Sequence, residues 1–203
     1  MTRRLIQLFI GLALYGVSLA MVLRAGLGLA PWDVLHQGLA ERTGVSIGSM
    51  LVIVSFIVLL LWIPIRERPG FGTFANAVLI GVSVDVTMLV LDDVTSWPMR
   101  ILLMVTGVAL NALATALYIG ASLGSGPRDG LMTGLVRRTG RSVRLVRTSL
   151  EVGVLAAGWL LGGTVGVGTL LYAFAIGPIV HVLLPPLTIA VPPRATRPAT
   201  RPV

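Results

Sequence analysis

Long stretches without a charged residue dominate the sequence and are typical of a membrane protein. A helix needs about 20 mostly apolar residues to cross the hydrocarbon core of a bilayer. Five stretches of the chain reach that length, and they contain only Asp85 and His181 among acidic, basic and histidine residues. These stretches are residues 5–23, 43–65, 69–91, 101–127 and 152–193. The mean hydropathy of +0.92 agrees with this pattern.

The five stretches predict six membrane spans in one all-α helix bundle. The last stretch is long enough for two helices, and the glycine-rich segment 162–168 within it indicates the turn between them. The predicted spans lie near residues 5–24, 45–65, 71–91, 101–120, 144–162 and 168–185. The connecting loops are short, so no soluble domain is expected, and residues 186–203 read as a disordered cationic tail.

The amino-acid composition excludes most kinds of enzyme. The chain has no cysteine, which excludes disulfides and thiolate chemistry, and all 16 of its cationic residues are arginine, which excludes lysine-dependent catalysis and phosphate loops. The segment 120–124 matches the nucleophile-elbow string, but it ends a predicted membrane helix instead of joining a strand to a helix. His36 and His181 show no metal-binding spacing. We therefore expect no enzyme, no metal and no cofactor.

The arginines predict the orientation of the chain. If the N-terminus is cytoplasmic, the inside segments contain 13 of the 16 arginines, and only Arg24, Arg42 and Arg100 lie outside. The positive-inside rule therefore places both termini in the cytoplasm. We expect the arginine-rich cytoplasmic loop and the tail to contact anionic lipid headgroups, and the net charge of +8 then needs no nucleic acid to explain it.

The chain contains an internal duplication. Aligned with itself at an offset of 96 residues without a gap, the segment 25–85 is identical at 21 of 61 positions. Apolar composition alone would produce roughly 10% identity. The two repeats are residues 1–95 and 96–185. Since each repeat contains three predicted spans, the second must enter the membrane inverted relative to the first, as in many secondary transporters.

The duplicated motif resembles a known family. The run of residues 26–35, GLGLAPWDVL, followed by Gly38-Leu39 and Thr43-Gly44, is similar to the signature of the YczE/YitT-like bacterial integral membrane proteins, and its copy at 124–140 fits as well. The resemblance implies a multi-pass protein of the bacterial inner membrane whose biochemical function is undefined. Without the soluble C-terminal domain typical of the YitT branch, we expect the YczE-like branch to be closer.

Each copy of the motif predicts a short helix, at residues 31–43 and 127–139. Pro31 and Pro127 occupy the position where a helix best accepts proline, and Asp33 and Asp129 lie in the first turn, where their charge meets the positive helix end. Two placements are open. The helices lie flat at the interface with the aspartates as caps, or they are re-entrant and bring both aspartates to a central cavity.

The motif also supplies the candidate binding residues. In the re-entrant arrangement, the substrate-binding side chains and backbone positions come from both copies. They are Asp33, Asp129, Trp32, Arg128, Pro31, Pro127, Gly28 and Gly124. Asp85 and His181 occupy equivalent positions of the repeat and form a candidate proton-coupling pair; alternatively, each is hydrated near its own interface.

These observations predict a carrier of a small solute, since many secondary transporters are built from inverted repeats, with proton coupling as an option. The alternative is a non-transporting role, as a substrate-binding subunit or an accessory protein of a membrane complex. Either function is compatible with a homo-oligomer or with a partner subunit. The sequence names neither the solute nor the coupling ion.

Overall fold

The computed structural model describes residues 1–190, which form eight α-helices and no strand. Most of the predicted tail, 191–203, lies outside the described residues. The helices are α1 (Thr2–Ala25), α2 (Pro31–Thr43), α3 (Ile47–Ile65), α4 (Phe71–Val90), α5 (Trp97–Gly120), α6 (Pro127–Thr139), α7 (Val143–Leu160) and α8 (Val167–Leu187).

Five of the eight helices are long and apolar enough to cross a membrane, namely α1, α3, α4, α5 and α8. Their outer faces carry large apolar side chains such as Ile57, Leu60 and Phe174, each at least half exposed. A broad exposed apolar surface of this kind is typical of a bundle that faces lipid. The sixth predicted span corresponds to α7, which contains three charged residues, Arg144, Arg147 and Glu151, and so does not qualify on apolarity alone.

The two short helices have the bounds that the sequence predicts. Pro31 and Pro127 begin α2 and α6, where the missing N–H of proline costs no helical hydrogen bond. Gly44 and Gly140 end them in the left-handed conformation, with φ of 72° and 67°, which glycine adopts without a steric penalty. At 13 residues each, α2 and α6 are too short to span a bilayer.

Helices α1 and α5 form the centre of the bundle and run antiparallel. At one end of the pair, the Arg4 side chain donates to the Ala121 carbonyl, and at the other, the Arg100 side chain donates to the Ala25 carbonyl at 2.7 Å. Within the pair, Asn111 of α5 donates to the Ser18 hydroxyl of α1 at 2.8 Å. The outer helices α4 and α8 pack against α1 and α5, respectively.

Each short helix packs against a long helix of the other half of the chain, α2 against α7 and α6 against α3. Glycines allow the close approach of α2 and α7. A Cβ atom at Gly158 would lie 2.4 Å from the Leu35 nitrogen, and one at Gly38 would lie 2.6 Å from the Gly158 carbonyl oxygen. Because backbone atoms cannot move aside as a flexible side chain can, this interface depends on the absence of side chains at both glycines.

We expect Gly158→Ala to lower the free energy of unfolding by about 1–3 kcal/mol, since α2 must move away from α7 to make room for the methyl group. Gly153→Ala on the same helix is the matched control, because no atom lies within 4 Å of a Cβ there and alanine favours the helix by about 0.5–1 kcal/mol. Chemical unfolding in detergent micelles measures both variants. Equal stability of the two would contradict this account of the interface.

The two outer hairpins of the bundle differ in packing. Helices α3 and α4 lie against each other, with Gly48 in contact with the Gly81 backbone. Helices α7 and α8, which occupy the equivalent positions in the second half, scarcely touch, and a Cβ at Gly177 would have no neighbour within 4 Å. The second hairpin is therefore open where the first is closed.

Candidate functional site

The N-terminal ends of α2 and α6 meet inside the bundle. The Arg128 guanidinium of α6 lies 3.2 Å from an Asp33 carboxylate oxygen of α2, and it also lies over the Trp32 ring, 5.6 Å from the ring centroid. The Trp62 indole N–H of α3 donates to the Pro127 carbonyl at 3.0 Å and holds the start of α6 in place. The structure thus brings together side chains from both copies of the repeated motif.

Asp33 is the buried member of this cluster, with its side chain 3% exposed. Its carboxylate faces Arg128 on one side and the Nδ1 atom of His36, at 3.3 Å, on the other. Burial opposes ionisation of Asp33, but the charge of Arg128 and the hydrogen bond to His36 outweigh it and hold the pKa of the carboxyl below its usual value. Burial in turn lowers the pKa of His36, despite the opposing effect of Asp33. The cluster therefore contains an ionised aspartate and a neutral histidine at neutral pH.

These pKa shifts predict that acid destabilises the fold. As the pH falls below 6.5, the usual pKa of histidine, the unfolded chain binds a proton at His36 that the folded protein does not, so stability decreases. The depressed pKa of Asp33 adds to the loss at lower pH. We expect His36→Gln to have a flatter profile of melting temperature between about pH 5 and 7. His181→Gln is the control, and a wild-type profile that rises towards acid would contradict the prediction.

Asp129 lies in the first turn of α6 but is placed differently from Asp33. It is only partly buried, it lines a cavity, and its carboxylate accepts a hydrogen bond from the Tyr118 hydroxyl at 2.7 Å. Asp129 forms no ion pair with any of the residues 1–190. The structure therefore places one predicted aspartate beneath the cavity, in a closed ion-pair cluster, and the other at its wall.

The cavity has a volume of about 420 Å³ and is lined by residues of every helix except α3. A volume in this range fits a small organic molecule. Its wall is partly aromatic, with Tyr15, Trp32, Tyr118 and Tyr172, and partly charged, with Arg128, Asp129, Arg147 and Glu151. The first half of α7 and much of α8 contribute lining residues, so the cavity lies beside the two helices that scarcely touch.

Of the predicted binding residues, six gather at this site and two have another role. Trp32, Arg128, Pro31, Pro127 and Asp129 line the cavity, and Asp33 lies behind Arg128. Gly28 and Gly124 instead make the turns before α2 and α6, with φ of 118° and 136°. A Cβ at Gly28 would lie 2.8 Å from the Thr169 hydroxyl, and one at Gly124 would lie 2.8 Å from the Thr73 hydroxyl.

The predicted Asp85/His181 pair occupies two separate environments. Asp85 accepts hydrogen bonds from the Ser46 hydroxyl at 2.6 Å and from the Gly48 amide at 2.8 Å, and so ties α4 to the start of α3. His181 is exposed on α8 and is one of the residues that line the cavity. Arg147 and Glu151, one turn apart on α7, form an ion pair at 2.9 Å.

Sequence reasoning missed His36 and the tyrosines. His36 lies in a short polar helix, where no pattern indicated that it is buried against Asp33. The tyrosines did leave a signal, because Tyr15 aligns with Asn111 and Tyr172 with Asn76 at the offset of 96 residues. Polar groups at equivalent depths of paired spans indicate a shared internal site, and Tyr172 donates to Asn111 at 2.8 Å.

Comparison with known proteins supports the resemblance inferred from the motif. The chain is 40% identical over 177 residues to an uncharacterized protein of Haemophilus influenzae, covering 87% of this chain and 81% of the relative. It is 36% identical over 172 residues to the uncharacterized membrane protein YczE of Bacillus subtilis, covering 84% of this chain and 80% of the relative. The uncharacterized protein YyaS of the same organism is 27% identical over 180 residues, 87% of this chain and 90% of that protein.

No solved structure matches the chain. The similarity to YczE confirms the predicted relationship to the YczE-like proteins. The relative's description as a membrane protein agrees with the five long apolar helices of this structure. Residues 2–185, from the start of α1 to near the end of α8, match one family along their whole length, and the chain therefore belongs to the family of unknown function DUF6198.

Proposed function

We propose that this protein carries a small solute across the bacterial cytoplasmic membrane by alternating access at the cavity between α2 and α6. In this proposal the chain has six spans, α1, α3, α4, α5, α7 and α8, arranged as two inverted repeats, residues 1–95 and 96–185. Helices α2 and α6 are re-entrant and enter from opposite faces. The observation that carries the proposal is the contrast between the closed α3–α4 hairpin and the open α7–α8 hairpin beside the cavity.

Contacts that recur in both halves support the inverted repeat. The Gly72 amide donates to the Leu123 carbonyl at 2.9 Å, and at the positions 96 residues away the Gly168 amide donates to the Leu27 carbonyl at 2.7 Å. Helix α4 packs on α1 as α8 packs on α5, and α6 packs on α3 as α2 packs on α7. Because α1 and α5 are antiparallel, an exchange of the two halves also exchanges the two ends of the bundle.

The arginines support an inward-facing state. In this proposal the cavity opens between the first part of α7 and the last part of α8, at the end of the bundle where Gln7 of α1 donates to the Leu187 carbonyl. With the N-terminus in the cytoplasm, this opening faces the cytoplasm. The arginines at that end, including Arg66, Arg68, Arg137 and Arg138, then lie at the inner headgroup level, where they attract anionic lipids.

The closed hairpin supplies a candidate gate on the opposite face. Ser46, Gly48, Gly81 and Asp85 join α3 to α4, and their equivalents in the second half are Ser142, Arg144, Gly177 and His181. Alternation would bring the second group together and separate the first, since an inverted repeat can exchange the conformations of its halves. In this scheme the Asp85 carboxylate is the acceptor that keeps the outer gate closed.

Uptake by reconstituted protein tests the proposal directly. Proteoliposomes containing the purified protein are incubated with a bacterial metabolite extract, and the trapped solutes are identified by mass spectrometry. We expect enrichment of a defined class of small solutes and its loss in Asp129→Asn. Asp93→Asn is the control, because Asp93 lies on the surface with its side chain 86% exposed.

The same assay separates the alternatives. Binding of a solute without uptake would overturn the carrier and favour a substrate-binding subunit. Neither binding nor uptake by the wild-type protein, together with full activity of a partner complex that contains Asp129→Asn, would favour an accessory role. A proton-coupled carrier would also change the pH of the proteoliposome lumen when the solute is added. A pH-sensitive dye in the lumen measures this change.

A further inference from the structure

We infer that the solute carries a single ammonium group, which binds at Asp129 among the aromatic side chains of the cavity. This inference rests on the proposed carrier function, since it assigns the chemical class of the molecule that the same cavity receives. It applies to a simple organic cation and to a zwitterion, which share the ammonium group.

The charges of the cavity wall point to Asp129. Of the four charged residues in the wall, Arg147 pairs with Glu151 at 2.9 Å, and Arg128 pairs with Asp33, behind the wall, at 3.2 Å. Asp129 has only the Tyr118 hydroxyl as a partner among the side chains of residues 1–190. The N-terminus of α6 offsets about half of its charge, so the carboxylate remains incompletely compensated. A ligand with one positive group would compensate the remaining negative charge of Asp129.

The aromatic side chains point to an ammonium group in preference to a metal ion. Tyr15, Trp32, Tyr118 and Tyr172 all line the cavity, and the Tyr15 and Tyr118 rings are in edge-to-face contact with centroids 6.2 Å apart. Faces of aromatic rings attract organic cations, and they do so more strongly where water is excluded. A metal ion would require several oxygen, nitrogen or sulfur ligands, and residues 1–190 contain no group of three or more acidic or histidine residues placed to bind one.

The position of Arg128 allows the site to receive the ammonium group of either a zwitterion or a simple cation. Arg128 is one residue from Asp129 and 26% exposed, and its charge is shared with Asp33. A zwitterion could place its carboxylate towards Arg128 while its ammonium group contacts Asp129. A simple cation would leave the Arg128–Asp33 pair unchanged. Both modes require the carboxylate of Asp129, and only the first uses Arg128.

Two matched pairs of ligands test the inference. Choline and 3,3-dimethylbutan-1-ol have the same shape and differ in the charge of the central atom, as do glycine betaine and 3,3-dimethylbutanoate. Binding to purified wild-type protein is measured by isothermal titration calorimetry. We expect at least one ammonium compound to bind about tenfold more tightly than its carbon isostere. Tighter binding of choline than of glycine betaine identifies the solute as a simple cation, and the reverse order identifies it as a zwitterion.

Two variants assign the effect to the carboxylate. Asp129→Asn should remove the preference for the ammonium compound, whereas Asp93→Asn, which removes an exposed carboxylate outside the cavity, should change it less than about twofold. Equal binding of both members of each pair by wild-type protein, or no binding of any of the four, would overturn the inference. The comparison of the ligands on wild-type protein does not depend on whether any variant folds.

The result is separable from the test of transport. If the ammonium compounds show no preference but metabolites still accumulate in proteoliposomes, the carrier function stands and only the solute class is wrong. If Asp129 binds an ammonium compound but no solute accumulates, the site stands and the carrier function is wrong.

Discussion

Cysteines placed at Ser46 and Asp85 should form a disulfide in most molecules under mild oxidation, and cysteines at Ser142 and His181 should form one far more slowly. The Ser46 hydroxyl and the Asp85 carboxylate are 2.6 Å apart, while α7 and α8, which carry the second pair, scarcely touch. The chain has no native cysteine, so each introduced thiol has only its designed partner. Mobility on denaturing gels after protease cleavage between the paired helices measures the cross-link.

A variant with all four cysteines tests alternation itself. If closure of one hairpin requires opening of the other, a molecule cross-linked at 46 and 85 will not also be cross-linked at 142 and 181. In proteoliposomes the disulfide at 46 and 85 should abolish solute uptake, and a reducing agent should restore it. Simultaneous formation of both disulfides, or uptake unaffected by either, would contradict the proposed gates.

Asp33→Asn should be among the most destabilising single substitutions in the chain. It leaves the Arg128 guanidinium without its carboxylate partner in the interior, and the loss of one member of a buried ion pair costs about 3–5 kcal/mol. Because Arg128 is 26% exposed, we expect a value near the lower limit, about 3 kcal/mol. Unfolding by denaturant in detergent micelles measures the change.

The control and a second variant identify the cause. Asp93→Asn breaks the exposed ion pair with Arg24 and should cost less than about 1 kcal/mol. The double variant Asp33→Asn/Arg128→Gln removes the stranded charge and should recover part of the stability that Asp33→Asn loses. Equal effects of Asp33→Asn and Asp93→Asn would show that the cluster of Asp33, His36 and Arg128 does not stabilise the fold.

The helices of the fold were largely predictable because their signals are local. A proline at the first position and a glycine after the last bound α2 and α6, and both helices have the predicted bounds. Stretches of about 20 residues with almost no charge, Asp85 in α4 being the exception, indicated α1, α3, α4, α5 and α8. For α7 the signal was weaker, since its first half carries Arg144, Arg147 and Glu151.

The candidate site was predictable only in part, because its two aspartates have the same sequence context and different surroundings. Asp33 and Asp129 both lie in the first turn of a short helix after a proline. The difference comes from the side chains that surround each carboxylate in the folded chain. Arg128 reaches Asp33 from 95 residues away, whereas Tyr118 of α5 donates to Asp129.

The sequence by itself determined that the chain is helical, strongly apolar, duplicated at an offset of 96 residues and related to YczE. These properties follow from composition and short-range order along the chain. Only the tertiary structure decided that one aspartate is buried in an ion pair and the other faces a cavity, and that α3–α4 is closed while α7–α8 is open. The physical reason is that two related segments can adopt different environments when each packs against the other half of the molecule, and no local pattern records which half is closed.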